Sequence, residues 1–135
     1  MIKFNERRAL QVMVAILALI PVGAGTAGIA LGPSMIAHGI GDVSLDSHFR
    51  YLSGLLLAIG FGFWSTIPSI EKDAARFQIL TAIVFIGGLA RLVSLDFAGV
   101  PSLPMIAGLI MELVVTPLLC LWQFRVARRA RLKKG

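Results

Sequence analysis

The chain has a single cysteine, Cys120, so no disulfide can form within it. No histidine neighbours Cys120 to serve as a base, which argues against a nucleophilic thiol. Histidine itself is scarce. His38 and His48 stand near Asp42 and Asp46, but that spacing fits no standard zinc or calcium arrangement, and no metal is expected. Walker loops, nucleophile elbows, dinucleotide fingerprints and haem-attachment pairs are all missing, so no cofactor and no catalytic residue is expected. Charge is thin as well: 15% of residues are charged against 57% hydrophobic, and mean hydropathy is +0.86. Such a composition leaves too little polar surface to coat a soluble domain.

What is present is four long apolar runs, at about 9–31, 49–68, 77–95 and 103–124. Each approaches the ~20 residues that carry a helix across ~30 Å of hydrocarbon. Backbone groups in lipid must be satisfied within the segment, and the runs lack the period-2 alternation of a barrel strand, so helices are expected. The predicted fold is all-α: one four-helix transmembrane domain over residues 1–135, ending in a basic tail, 125–135. The first run follows Lys3, Arg7 and Arg8 and could pass for a signal peptide, but it continues well beyond a 7–15-residue apolar region and is read as a retained helix.

Basic residues set an orientation. Of the 13 Lys and Arg, all but Arg50 and Arg91 fall on one side if both termini lie in the cytoplasm. The tail RVARRARLKKG is read as a topology anchor attracted to anionic lipid, with no nucleic-acid role. On the other side, the segment PSMIAHGIGDV is expected to lie along the interface as a short helix. Pro21 and Pro117 fall inside helices one and four and are expected to bend them.

Arg91 then lies about one turn below the outer boundary, roughly 6–7 Å deep, while Glu112 lies ~13 Å deep, near the middle of the bilayer. Arg91 could snorkel outward, whereas Glu112 is too short to do so and must be paired, protonated or wetted. Spacing by four makes Pro104, Gly108, Glu112, Thr116 and Cys120 one small and polar stripe. Helix two carries a similar row of Arg50, Gly54, Ala58, Gly62 and Thr66, which suggests close helix approach. The resulting expectation is a polar centre in which Arg50 and Arg91 converge on Glu112, with Ser53 and Ser94 as hydrogen-bond partners. Gly88 would leave room for it.

Three functions fit such a centre. The leading one is noncatalytic: an internal ion pair that fixes helix register in a protein packing with itself or with a larger membrane partner. A second is a small-solute or lipid-binding transporter, in which guanidinium receives a carboxylate, phosphate or anionic headgroup. The third is an intramembrane enzyme with Glu112 as acid or base.

The stretches FRYLSGLLLAIGFGF, GGLARLVSLDFAGVPS and MELVVTP resemble a family of small bacterial four-helix membrane proteins, domain of unknown function 4345. The resemblance covers nearly the whole chain and rests on Arg50, Ser53 and Gly54, on Gly87, Gly88 and Arg91, on Gly99 and Pro101 in the outer turn, and on Glu112. It implies a retained first helix and an inner-membrane bundle; Gly54, Gly88, Gly99, Pro101 and Pro117 are read as structural residues. It implies no activity, substrate or cofactor.

Overall fold

A computed structural model describes residues 2–38 and 41–132, with side chains from Glu6 onward. All regular structure among them is helical: α1 (Ile2–Leu17), α2 (Leu19–Leu31), α3 (Val43–Thr66), α4 (Ala74–Ala98), α5 (Leu103–Ile110) and α6 (Thr116–Leu132), with a π turn at Met111–Val115 joining α5 to α6. Four helical stretches are long and apolar enough to cross a membrane: Glu6–Met35, Val43–Ser69, Ala74–Ala98 and Leu103–Leu132.

All four outrun the hydropathy limits, because polar residues continue the helices past the apolar runs. Asp42 caps α3, its carboxylate accepting from the Leu45 N–H at 2.7 Å. Gly99 ends α4 with φ of 97° and an N–H bonded to Leu95 O, a conformation that disfavours any residue with a Cβ. At the far end α6 runs through the basic residues to Leu132; Lys133 and Lys134 of the expected tail, like the side chain of Lys3, lie outside the described residues. The loop expected to carry a short interfacial helix contains a 3₁₀ turn at Gly32–Met35; its residues 39 and 40 lie outside the described set.

Both internal prolines mark irregularities, for one reason. Pro21 has no N–H to give Leu17 O, and the regular pattern lapses for one residue at Ala18 between α1 and α2, although Ala18 keeps helical angles and its carbonyl accepts from Val22 N–H at 3.2 Å. Pro117 likewise cannot bond Leu113 O. Here the chain widens into the π turn, and the backbone N–H of Thr116 reaches back five residues to Met111 O. The Thr116 hydroxyl donates to that same carbonyl at 2.8 Å.

The chain divides into two compact units. In the unit Gln11–Ile67, α2 and α3 run antiparallel through a glycine seam, with Gly25 against Ser53 and Leu57, Gly28 against Ser53 and Phe49, and Gly60 against Val22 and Ala18. A Cβ on Gly25 would stand 2.6 Å from Leu57 N and 2.7 Å from Ser53 O, so the two backbones touch where no side chain fits. This corrects the expected contact row on the second span. Gly54 faces open space, with nothing within 4 Å of a Cβ, and the close approach runs one position away, along Phe49, Ser53, Leu57 and Gly60. Trp64 ties α3 to the first helix, donating from Nε1 to Ala15 O at 3.1 Å.

The unit Met1–Leu10 with Pro68–Gly135 packs α4 antiparallel to α5 and α6. Leu10, Ile70, Phe77 and Gln123 are fully buried in it, with Val126 and Ala127 nearly so.

Gly25→Ala should lower stability by about 1–3 kcal/mol through overpacking, while Gly23→Ala in the same helix, where a Cβ meets nothing within 4 Å, should be neutral or slightly stabilising. Thermal unfolding of detergent-purified protein by circular dichroism checks both. Equal behaviour of the two variants would contradict the seam.

Candidate functional site

Arg91 on α4 meets Glu112 on the π turn. Arg91 Nε donates to Glu112 Oε2 and Nη2 to Oε1, both at 3.0 Å, so the guanidinium grips the carboxylate as a planar fork. The pair is part-buried, with side-chain exposures of 34% for Arg91 and 18% for Glu112. Gly88, one turn before Arg91, makes the approach possible: a Cβ there would lie 2.7 Å from Leu113 Cδ2 and 2.9 Å from Glu112 Cβ. Its expected role of leaving room is thus located against the π turn itself.

The π turn also changes what a spacing of four means. One additional residue in a turn rotates everything beyond it by ~100°. The stripe Pro104, Gly108, Glu112, Thr116 and Cys120 is therefore interrupted at the position of interest. Pro117 sits just past that interruption and fixes where it falls.

Arg50 is engaged elsewhere, which corrects the expected convergence of two arginines on Glu112. Its Nε donates to Asp46 Oδ2 at 2.9 Å and its Nη2 to Asp46 Oδ1 at 3.2 Å, while Nη1 donates to Ile29 O and to Ala30 O. The charge closes the C-terminal turn of α2, where unpaired carbonyls and the helix dipole favour a cation. Gly32 permits this with φ of 62°; a Cβ there would stand 2.6 Å from Asp46 Oδ1. The signal was in the sequence, since Asp46 and Arg50 are spaced i,i+4.

The two serines also leave the expected cluster. Ser53 is buried against Gly25 and Gly28, and its hydroxyl donates to Phe49 O in its own helix at 2.7 Å. Ser94 is exposed on α4. Pro101 is half-buried in the turn before α5, next to Ser102, the residue that precedes the helix.

A second polar assembly escaped sequence reasoning. Arg7 Nε donates to Glu71 Oε2 at 2.8 Å and Arg7 Nη2 to Pro68 O at 2.9 Å. Glu6 receives Arg129, and Arg125 Nε stands 3.7 Å from its Oε1. Beneath them the fully buried Gln123 donates to Ile70 O at 2.7 Å. Residues 6–7, the 68–73 connection and α6 are thereby clasped together, and two arginines of the tail are engaged with Glu6. For Glu71, burial works to raise the carboxyl pKa, but the Arg7 hydrogen bond, a backbone hydrogen bond and the Arg7 and Lys72 charges outweigh it, so the pKa is lowered.

With the geometry in place, comparison with known proteins adds a family. The family described as Domain of unknown function (DUF4345) matches residues 9–123. The chain belongs to it. The match spans both Arg91 and Glu112 of this DUF4345 chain, and also Arg50, but leaves Glu6, Arg7, Arg125 and Arg129 outside. No curated protein and no solved structure matches the chain.

Two outcomes are expected. Gly88→Ala should push α4 away from the π turn and cost about 1–3 kcal/mol, measured by thermal unfolding. The lowered pKa of Glu71 means that its stabilisation is complete above its unfolded pKa of about 4.3 and is lost as pH falls through the lower folded value. Glu71→Gln should therefore be less stable than wild type at neutral pH, by under about 1 kcal/mol given the exposure of Arg7, and the gap should close in acid. A gap that stays constant down to strongly acidic pH would refute this assignment.

Proposed function

We propose that this DUF4345 protein is a noncatalytic multi-pass protein of a bacterial inner membrane, with both termini cytoplasmic, in which the Arg91–Glu112 pair holds α4 in register with α5 and α6. The carrying observation is the closed fork: both carboxylate oxygens of Glu112 accept from Arg91. A general acid or base needs an oxygen free to face substrate, so the fork favours a structural over a catalytic role.

The membrane reading is supported by the four long apolar helices and by the large apolar side chains they leave exposed, among them Ile79, Ile86, Val93, Leu118 and Leu121. In water such faces would drive aggregation; in lipid they are the ordinary outer surface. They supply packing positions for lipid, for a second copy or for a larger membrane partner. The basic residues on the 68–73 connection and on α6 support the cytoplasmic assignment of that end.

In a Cys120→Ala background, Ser102→Cys should react with a membrane-impermeant maleimide on intact cells, and Lys72→Cys only after permeabilisation. Equal labelling of both from outside would sink the orientation. A double-mutant cycle with Arg91→Met and Glu112→Gln should give a coupling of about 1–2 kcal/mol, and additive effects would remove the register role.

A further inference from the structure

The guanidinium of Arg91 is only partly used. Of its five N–H bonds, Nε–H and one on Nη2 go to Glu112, and one on Nη1 goes to the Met105 thioether at 3.1 Å. The second N–H on each Nη nitrogen has no acceptor among the described residues. Sulfur is itself a weak acceptor. One N–H on each Nη nitrogen is thus left over, beside a thioether, on a side chain 34% exposed.

Gly108 lies next to the guanidinium, where a Cβ would be in ordinary contact, 3.9 Å from Arg91 Cζ and 4.0 Å from Nη2, so no side chain of that residue covers it. On the membrane-spanning reading, on which this inference rests, Arg91 lies seven residues before the end of α4, about 10 Å along the helix axis. Held by Glu112 at one side, the guanidinium turns Nη1 toward Met105 in the first turn of α5, the side from which headgroup phosphate and ester oxygens would approach. Unsatisfied N–H groups are costly next to hydrocarbon, so an oxygen acceptor is required there.

Charge decides which acceptor fits. Arg91 and Glu112 already neutralise each other, so a bare anion would bring uncompensated charge into a poorly solvated place. A zwitterionic phospholipid offers two phosphate oxygens spaced for a guanidinium fork while carrying its own cation. We infer that the spare N–H groups on Nη1 and Nη2 of Arg91, beside Gly108 and Met105, hold the phosphodiester of one zwitterionic phospholipid in the outer half of the membrane.

The test uses the full chain, delipidated in detergent and offered phosphatidylethanolamine, phosphatidylglycerol or oleate, with bound lipid counted by native mass spectrometry. Wild type should retain one phosphatidylethanolamine per chain, and bind it about tenfold more tightly than either anionic amphiphile. Gly108→Val, whose side chain would pack on the Arg91 guanidinium and cover its spare N–H groups, and Arg91→Lys, which removes the fork, should each weaken that binding about tenfold. The inference is overturned if wild type retains no phospholipid, if phosphatidylglycerol or oleate binds as tightly, or if wild type and a folded Gly108→Val variant bind alike. None of these outcomes touches the maleimide labelling or the double-mutant cycle, so the membrane reading and the register role stand or fall separately.

Discussion

A charged guanidinium among apolar helices needs acceptors for its N–H groups, and the fork between Arg91 and Glu112 supplies two bonds of 3.0 Å. Several local features exist to make this meeting possible. Gly88 removes a side chain so that α4 can lie against the π turn. Pro117 withholds the N–H that would otherwise draw the next turn into regular α geometry. Thr116 supplies the reach-back bond that holds the widened turn together. Removing one partner would leave the other charge without compensation, a larger penalty than the pair's own net contribution.

Much of this is legible in the amino-acid sequence. Four apolar runs of helical length foretell four long helices, and the unmet charge of Glu112, set against Arg91 on the neighbouring run, foretells that the two will pair. The π turn is not legible, because an i,i+4 pattern assumes 3.6 residues per turn throughout, and Pro117 signals a disturbance without saying whether the helix will kink, break or widen. Pro21 takes a different course from similar chemistry. Arg50 defies expectation for a different reason. Its acceptors are local, a carboxylate one turn away on its own helix and the carbonyls at the end of α2, and these satisfy it before any distant carboxylate can. The glycine seam is legible in kind but not in phase, since Gly54 and Gly60 look alike in sequence and only the second is against a neighbouring backbone.

The clasp around Glu6 adds a role that composition does not reveal. The basic run 125–135 reads as a topology anchor, and within it α6 stays helical to Leu132 while Arg125 and Arg129, four apart, both face Glu6. Arg128 and Arg131 on the same helix remain exposed. One stretch therefore carries two kinds of arginine, one set holding the protein to itself and the other exposed. Counting charges weighs them alike.

The π turn at Met111–Val115 has a further meaning for how this helix can vary. A single surplus residue divides Leu103–Leu132 into two segments whose faces are out of phase by ~100°. Each segment can accommodate its own surroundings, with Gly108 matched to Arg91 on one side and Gln123 to Ile70 on the other, without a common repeat linking them. The helix behaves as a sentence with a comma in it: loss of one residue at that point would keep every word and still misalign the second clause against the first.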